Sequence, residues 1–444
     1  MSEQKLKRVF GKSFAAFACI GLVIGLGILR TPGEVASSIT DPYIYIALWV
    51  GGAVVVLLSL NVVGELISMT PVSGGEYVLV HRAFGSFPAF VIGWSSWLGQ
   101  CGSTALKAVV MMEYLALLMP FAAPYSIAGA IAVTSFFALL QISGSLWPGR
   151  LLSVASTLSA IVVLAVAVAL FYGAAAFVPG AAIETTVAPG GLQDFALIVA
   201  AIVFTYDGWY AASYINGETK GDTRASVMAS FKGVSIVIFI YLLVNAALAF
   251  TVPFGVIQGQ DLALASALEY SFGSGAGAFI IGFAVVLLLS NQNLGYMFGA
   301  RGLYALSVNG VGYDGAQKVN ERGAPSVAVA LSWGLVVVLI ISGGFRFLLT
   351  LTAMIFMVNY IVFMAGVLWL RRKEPNADRP FRSVGYPIVA VVMTFFWLAL
   401  AVFLATVETT STLYALGFLA FAVPVYIWLR RNVPASSSRM KAGF

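Results

Sequence analysis

The chain has 444 residues, of which 60% are hydrophobic and 9% charged, against roughly 25% charged residues in a soluble domain. So little charge excludes a water-solvated globule: the surface must face lipid, and the net charge of +6 sits in short loops between apolar runs, a membrane topology signal rather than a nucleic-acid surface. One histidine, His81, and two cysteines inside apolar runs, Cys19 and Cys101, point to no metal site, disulfide framework or cofactor.

A helix needs about 20 apolar residues to cross the hydrocarbon. The first such run, 13–37, follows Lys5, Lys7, Arg8 and Lys12 and shows no small-residue cleavage site, so it reads as a retained span rather than a signal peptide. It contains Gly21, Gly25 and Gly27, with Arg30 and Pro32 just beyond. Runs at 43–69, 86–119, 125–147 and 151–177 follow, the second of these holding Lys107. The sixth run, 193–217, carries Asp207 and Gly208 in mid-span, and the rest lie at 231–254, 276–306, 325–342, 346–371, 384–407 and 410–430. The expectation is an all-α polytopic membrane protein of about twelve transmembrane helices. It divides into a cytoplasmic N-terminal segment 1–12, five spans over 13–177, five over 193–371, two more over 384–430 and a tail 431–444.

Loop charges predict the orientation. With the N-terminus in the cytoplasm, Arg82, Arg150, Lys220, Arg224, Lys232, Lys318, Arg322, the cluster Arg371 to Arg382 and the tail Arg430 to Lys441 all fall inside, and Arg301 lies at the same end of its helix. Arg30, Lys107 and Arg346 are the exceptions, while the opposite loops carry Asp41, Glu184, Asp194, Asp261, Glu269 and Glu408. Both termini are then cytoplasmic, and the expected location is the plasma membrane, a bacterial inner membrane.

The glycines of the first run have two readings. Glycine at spacing four is a common close contact between membrane helices. Gly25-Leu26-Gly27 is denser than a packing seam, however, and glycine tolerates unwound backbone. Such backbone persists at membrane depth where it is buried in protein or lines a cavity. A half-helix starting near Ile28 would aim free N–H groups and a positive dipole end into that cavity, suited to a carboxylate; the carbonyls around Val23 would suit an ammonium. Asp207 and Gly208 mark a second break, in the sixth span, and paired interruptions in two halves point to a transporter site at the midplane.

At these residues the chain resembles the amino acid–polyamine–organocation superfamily, and within it the L-type and related bacterial amino acid permeases. The matching motifs are Gly25-Leu26-Gly27-Ile28-Leu29 before Thr31-Pro32-Gly33, Phe204-Thr205-Tyr206-Asp207-Gly208-Trp209 with Glu218 beyond it, and Pro71-x-Ser73-Gly74-Gly75-Glu76-Tyr77 after Glu65. The spacing from Asn293 to Arg301 in the eighth span is shared as well. The resemblance implies a LeuT-type 5+5 inverted repeat with two extra C-terminal helices and broken helices 1 and 6. It implies that the N–H groups of Leu26, Gly27 and Ile28, next to Gly25, hold a substrate carboxylate. The carbonyls of Val23, Phe204 and Asp207 would hold the amino group, and Phe204 would be a lid. Side-chain selectivity would fall to Cys101, Gly102, Thr205, Gly208, Tyr210 and Thr350 or Thr352. Glu76, Arg82 and the run Glu218 to Arg224 read as ion pairs of an inner gate, with Phe204, Glu76 and Glu218 as gating residues.

Two departures bear on coupling. The fifth-span lysine of sodium-independent members is absent, and the count from Arg150 lands on Ser159, a hydroxyl that could serve a sodium ion or simply pack helices. Lys107 lies within the third span, where a lone lysine needs a partner, with Asp207 as a long-range candidate, or a snorkelling route to the interface. Lys107, Ser159 and Asp207 are therefore the coupling candidates. The expected function is secondary transport of L-amino acids, neutral ones favoured, as an exchanger or proton-coupled symporter; sodium-coupled transport, a cationic amino acid or polyamine substrate, and a non-transporting sensor are the alternatives. A membrane enzyme is disfavoured because no metal cluster, nucleophile–base pair or phosphate loop is present. The expected partners are an amino acid, the lipid bilayer and a coupling proton or sodium ion, with no nucleic acid; a partner subunit is left open.

Overall fold

The computed structural model describes residues 10–11, 13–72, 74–144, 146–173, 191–273, 275–342 and 345–432. Lys5, Lys7, Arg8, Lys12, Ser73, Glu184 and the tail with Lys441 lie outside these residues, as do the side chains of Arg150, Asp194, Arg346 and Thr350.

The first apolar run forms two helices, α1 (Phe14–Val23) and α2 (Leu26–Ser38), bent by 41° at their junction. Next is α3 (Pro42–Ser68), whose start is set by proline at its first position and by Asp41, which accepts from the Tyr43 and Ile44 amides at 2.8 and 3.0 Å. The short α4 (Glu76–Phe84) leads into α5 (Ser86–Leu118), followed by α6 (Ser126–Ile142) and α7 (Leu146–Gly173). Helix α8 (Gly191–Thr205) stops inside the bundle, and an irregular stretch precedes the single turn α9 (Ala212–Ile215). Then come α10 (Thr223–Thr251), capped by Asp222, the short α11 (Phe254–Ile257) and α12 (Ala263–Phe272), and α13 (Ala276–Val308). The chain closes with α14 (Ser326–Ser342), α15 (Phe345–Lys373), α16 (Ile388–Val407) and α17 (Thr409–Asn432).

Among the described residues, 9 helices are long and apolar enough to cross a membrane, or 10 if α1 and α2 form one bent span. Against the expected twelve runs the difference lies in α8, cut short by a break, and in α14, whose 17 residues span only about 25 Å. Helices α4 and α12 lie outside the expected apolar runs. The long α5 and α13 run against each other at the centre, with α14 and α15 packed on α5, while α1 lies against α7 and α10. Gly21 makes the α1–α7 contact close: a Cβ there would collide with the Ser156 hydroxyl and with Leu152 of α7. Of the two readings of the first-run glycines, packing applies to Gly21.

Candidate functional site

Gly25 marks the break. Helix α1 ends with Ile24 in extended conformation, and α2 begins behind Gly25 with no side chain capping its first N–H groups. An uncapped helix start leaves up to four amides without intrahelical partners. The end of α1 is better tied: the Tyr241 hydroxyl of α10 donates to the Val23 carbonyl at 2.7 Å, and Asn291 of α13 reaches the Ile24 carbonyl at 3.4 Å. In the second break, Asp207 N–H donates to the Phe204 carbonyl at 3.0 Å, and Gly208 turns the chain with φ +119. Of the three carbonyls assigned to an amino group, Val23 and Phe204 thus already accept one protein hydrogen bond each.

The two breaks face each other through one glycine apiece. A Cβ on Gly27 would sit 2.7 Å from Thr205 Cα, and one on Gly208 would sit 2.8 Å from Leu22 Cγ. Each broken span can approach the other's interruption only because a side chain is missing there. The crossing is fastened by the Thr205 hydroxyl, which donates to Thr31 at 2.8 Å.

Between them opens a cavity of about 580 Å³. Val23, Gly25, Leu26, Gly27 and Thr31 line it from the first break, and Phe204, Thr205, Asp207 and Tyr210 from the second. Gln100, Ser103, Leu106 and Lys107 of α5 form one wall, and Leu349, Thr352, Ala353 and Phe356 of α15 another. The volume falls in the usual range of small-molecule sites. Asp207 accepts a hydrogen bond from the Tyr360 hydroxyl, and the Thr352 hydroxyl is buried without a hydrogen-bond partner. At one mouth of the cavity stand Arg30, Glu34 and Glu408. Arg30 pairs with Asp261 at 2.7 Å, Glu34 at 3.6 Å and Glu113 at 3.8 Å, so this exception to the loop-charge pattern is neutralised locally.

The sequence places this architecture. The family model described as "Amino acid permease" matches residues 10–428. The chain belongs to the amino acid permease family. It is 27% identical over 412 residues to human solute carrier family 7 member 13, covering 88% of this chain and 85% of that protein. It is 23% identical over 450 residues to the serine/threonine exchanger SteT of Bacillus subtilis, covering 97% and 98% of the two chains. It is 25% identical over 423 residues to the branched-chain amino acid permease BcaP of the same organism, covering 90% and 88%. These relatives are transporters, and an integral membrane protein of the amino acid permease family is what the helices and the family match establish together.

Other residues singled out in the permease fall in different places. Ile28 is fully buried in the core next to the cavity wall, and Gly208 faces Leu22. The Cys101 thiol points to the Ser332 carbonyl at 3.8 Å, and Gly102 packs under the Thr352 hydroxyl, so neither lines the cavity. Ser159 is buried in α7, also off the cavity. Lys107 and Asp207 both line it, yet no ion pair within 4.0 Å joins them among the described residues.

The expected inner-gate pairs are partly rearranged. Glu218 takes a two-pronged contact from Arg301, at 2.7 and 3.1 Å, both side chains buried. Arg82 pairs with Glu374 at 3.0 Å. Glu76 forms no ion pair among the described residues: α4 turns its carboxylate inward, where the Ser96 hydroxyl and the Asn359 amide donate to it, the latter at 2.7 Å. Lys220 and Arg224 carry no ion pair among the described residues. Sequence reading missed the largest network. Glu65 accepts from Arg371 at 2.7 and 2.8 Å, from Arg379 at 3.0 Å and from the Ser383 amide at 2.9 Å. Arg371, half-buried, is thus a structural partner as well as a loop charge.

Proposed function

We propose that this permease carries L-α-amino acids across the plasma membrane by alternating access, as an exchanger or a proton-coupled symporter. The observation that supports it most directly is the uncapped start of α2, opening on a cavity between two helix breaks. The N–H groups of Leu26, Gly27 and Ile28 suit the α-carboxylate. Asp207, with its side-chain carboxylate and main-chain carbonyl, suits the α-ammonium, and the Val23 and Phe204 carbonyls, each accepting one protein hydrogen bond, keep a second lone pair for it. Phe204 lies over the same space as a lid. The relatives' names speak of serine, threonine and branched-chain amino acids. What those have in common is the zwitterionic head group, the part this site's backbone fits.

In this reading the chain has twelve spans, α8 with α9 and α14 included, as two inverted five-span repeats plus α16 and α17. The reciprocal glycine contacts at the two breaks are what such a repeat would produce. The end bearing Glu65, Glu218 and the basic loops faces the cytoplasm, the termini with it. The buried ion pairs close that side, and the cavity's mouth at Arg30 opens to the other, so the arrangement is outward-facing. Rocking of spans one, two, six and seven against three, four, eight and nine would expose the site inward.

Flux in proteoliposomes tests this. Labelled amino acids should enter vesicles holding the purified protein, stimulated by internal amino acid or by an inward proton gradient. Binding without flux under either drive, or stimulation only by sodium, would reject it in favour of a sensor or a sodium symporter.

A further inference from the structure

Helix α5 turns one polar stripe to the cavity in an otherwise apolar span. Gln100, Ser103 and Lys107 lie at successive helical steps of three and four, so they share a face. Lys107 stands out among them. Its side chain is enclosed by protein except on the cavity side, and among the described residues it has no hydrogen bond and no ion pair. On α15, Thr352 also lines the cavity, but its unpartnered hydroxyl is buried against Gly102 of α5. An ammonium without a hydrogen bond on this wall, opening on the cavity it shares with the two helix breaks, is a place for an acceptor with negative charge.

Of the other charges around the cavity, Asp207 attracts Lys107 but lies beyond ion-pair distance, so the ammonium keeps its hydrogen-bonding capacity for a ligand. Asp207, the acid nearest in the cavity, is engaged by the Tyr360 hydroxyl and is the natural partner of an α-ammonium. Arg30 is bound up with Asp261, Glu34 and Glu113. A neutral substrate would satisfy the α2 amides and Asp207 but would press its side chain against a bare ammonium, which is costly at membrane depth. A substrate with a second carboxylate would suit all three features: α-carboxylate to the α2 start, ammonium to Asp207, distal carboxylate to Lys107.

From this arrangement we infer that the substrate is an acidic α-amino acid, its side-chain carboxylate bound by Lys107. The inference rests on the transport reading above and replaces the neutral substrate favoured by sequence with one chosen by the cavity's own charges.

Ligand-induced thermal stabilisation of the purified, full-length protein tests it, with aspartate, glutamate, asparagine, glutamine, serine and leucine as probes. One acid should bind at least about tenfold more tightly than its own amide, the scale of one charge-assisted hydrogen bond. Lys107→Gln should erase that ratio while leaving the amides bound as before, and Lys107→Arg should retain part of it. An amide or leucine binding as well as the acids to wild type would overturn the inference, and this holds even if the variants fail to fold. So would a Lys107→Gln protein that changes the pH profile of transport with an unchanged acid-to-amide ratio. If none of the six probes binds and no amino acid is transported, the permease reading of the site itself has failed; if neutral ones bind and acids do not, only the inference has.

Discussion

Glu65 and Lys107 are both buried charges in the same bundle, and their surroundings differ in kind. Glu65 receives two guanidinium groups and a backbone amide, and Arg379, bound to it, also donates to the carbonyls of Ala377 and Glu374 at 2.8 and 2.7 Å. Glu218 and Arg301 are similarly matched, with 2% and 5% of their side chains exposed. Around the cavity between the helix breaks the pattern reverses: α2 begins uncapped, Thr352 lacks a partner and Lys107 faces open space. Burial without partners is unfavourable, so the first region reads as a finished seal and the second as a site completed by a ligand.

The largest expected effect is at the seal. Glu65→Ala leaves two guanidinium groups without their shared acceptor, one of them 2% exposed. Removing one partner of such a buried network should destabilise by about 3–5 kcal/mol. Thermal unfolding of the purified protein reads this, and a melting temperature close to wild type would mean that water already solvates this end. Glu218→Gln should cost somewhat less, because the amide still accepts from Arg301; under the orientation proposed above, in which this pair closes the cytoplasmic side, its sharper effect should be a faster back-leak of labelled substrate.

How much of this contrast could be read beforehand depends on chain distance and helix phase. Both breaks lie where glycine density and a mid-span Asp207 mark them, because an interrupted hydrogen-bond ladder needs local residues that tolerate it. The α5 wall was misplaced. Cys101 and Gly102 are adjacent to the lining stripe, yet each step along a helix rotates a side chain by about 100°, which carries them to Ser332 and Thr352. The polar spacing of Gln100, Ser103 and Lys107 was the available signal. No local pattern could have paired Glu65 with Arg371, 306 residues away, or turned Glu76 toward Asn359 rather than a cation.

A middle-sized effect should separate packing from recognition at the crossing of the breaks. Gly27→Ala puts a methyl 2.7 Å from Thr205 Cα, backbone that cannot swing aside. Overpacking of this kind should destabilise by about 1–3 kcal/mol, and the displaced α2 start should lose amino acid binding. Gly21→Ala meets the Ser156 and Leu152 side chains of α7, away from the cavity, and should destabilise without a comparable loss of affinity. Equal affinity losses in the two variants would show that α2 does not meet the ligand.

The smallest effect tests whether the second region holds any part of its backbone in advance. Tyr241→Phe removes the hydroxyl that donates to the Val23 carbonyl, a change of about 1 kcal/mol in stability. Tyr45→Phe is the comparison, since it removes a hydroxyl that donates to Asn245 at 2.7 Å and, at 3.4 Å, to the Pro32 carbonyl in the middle of α2, all three residues off the cavity. If Tyr241 only satisfies a stray carbonyl, the two variants should lose similar stability, and Tyr241→Phe should keep or gain affinity as Val23 becomes free to accept the ammonium. If it fixes the direction of the break, affinity should fall by about an order of magnitude in Tyr241→Phe alone, the scale of one misaligned charge-assisted contact. The second result is expected, because a carbonyl already aimed at a protein donor on α10 is serving the geometry of the break, and the amides of α2 can meet a carboxylate only while that geometry holds.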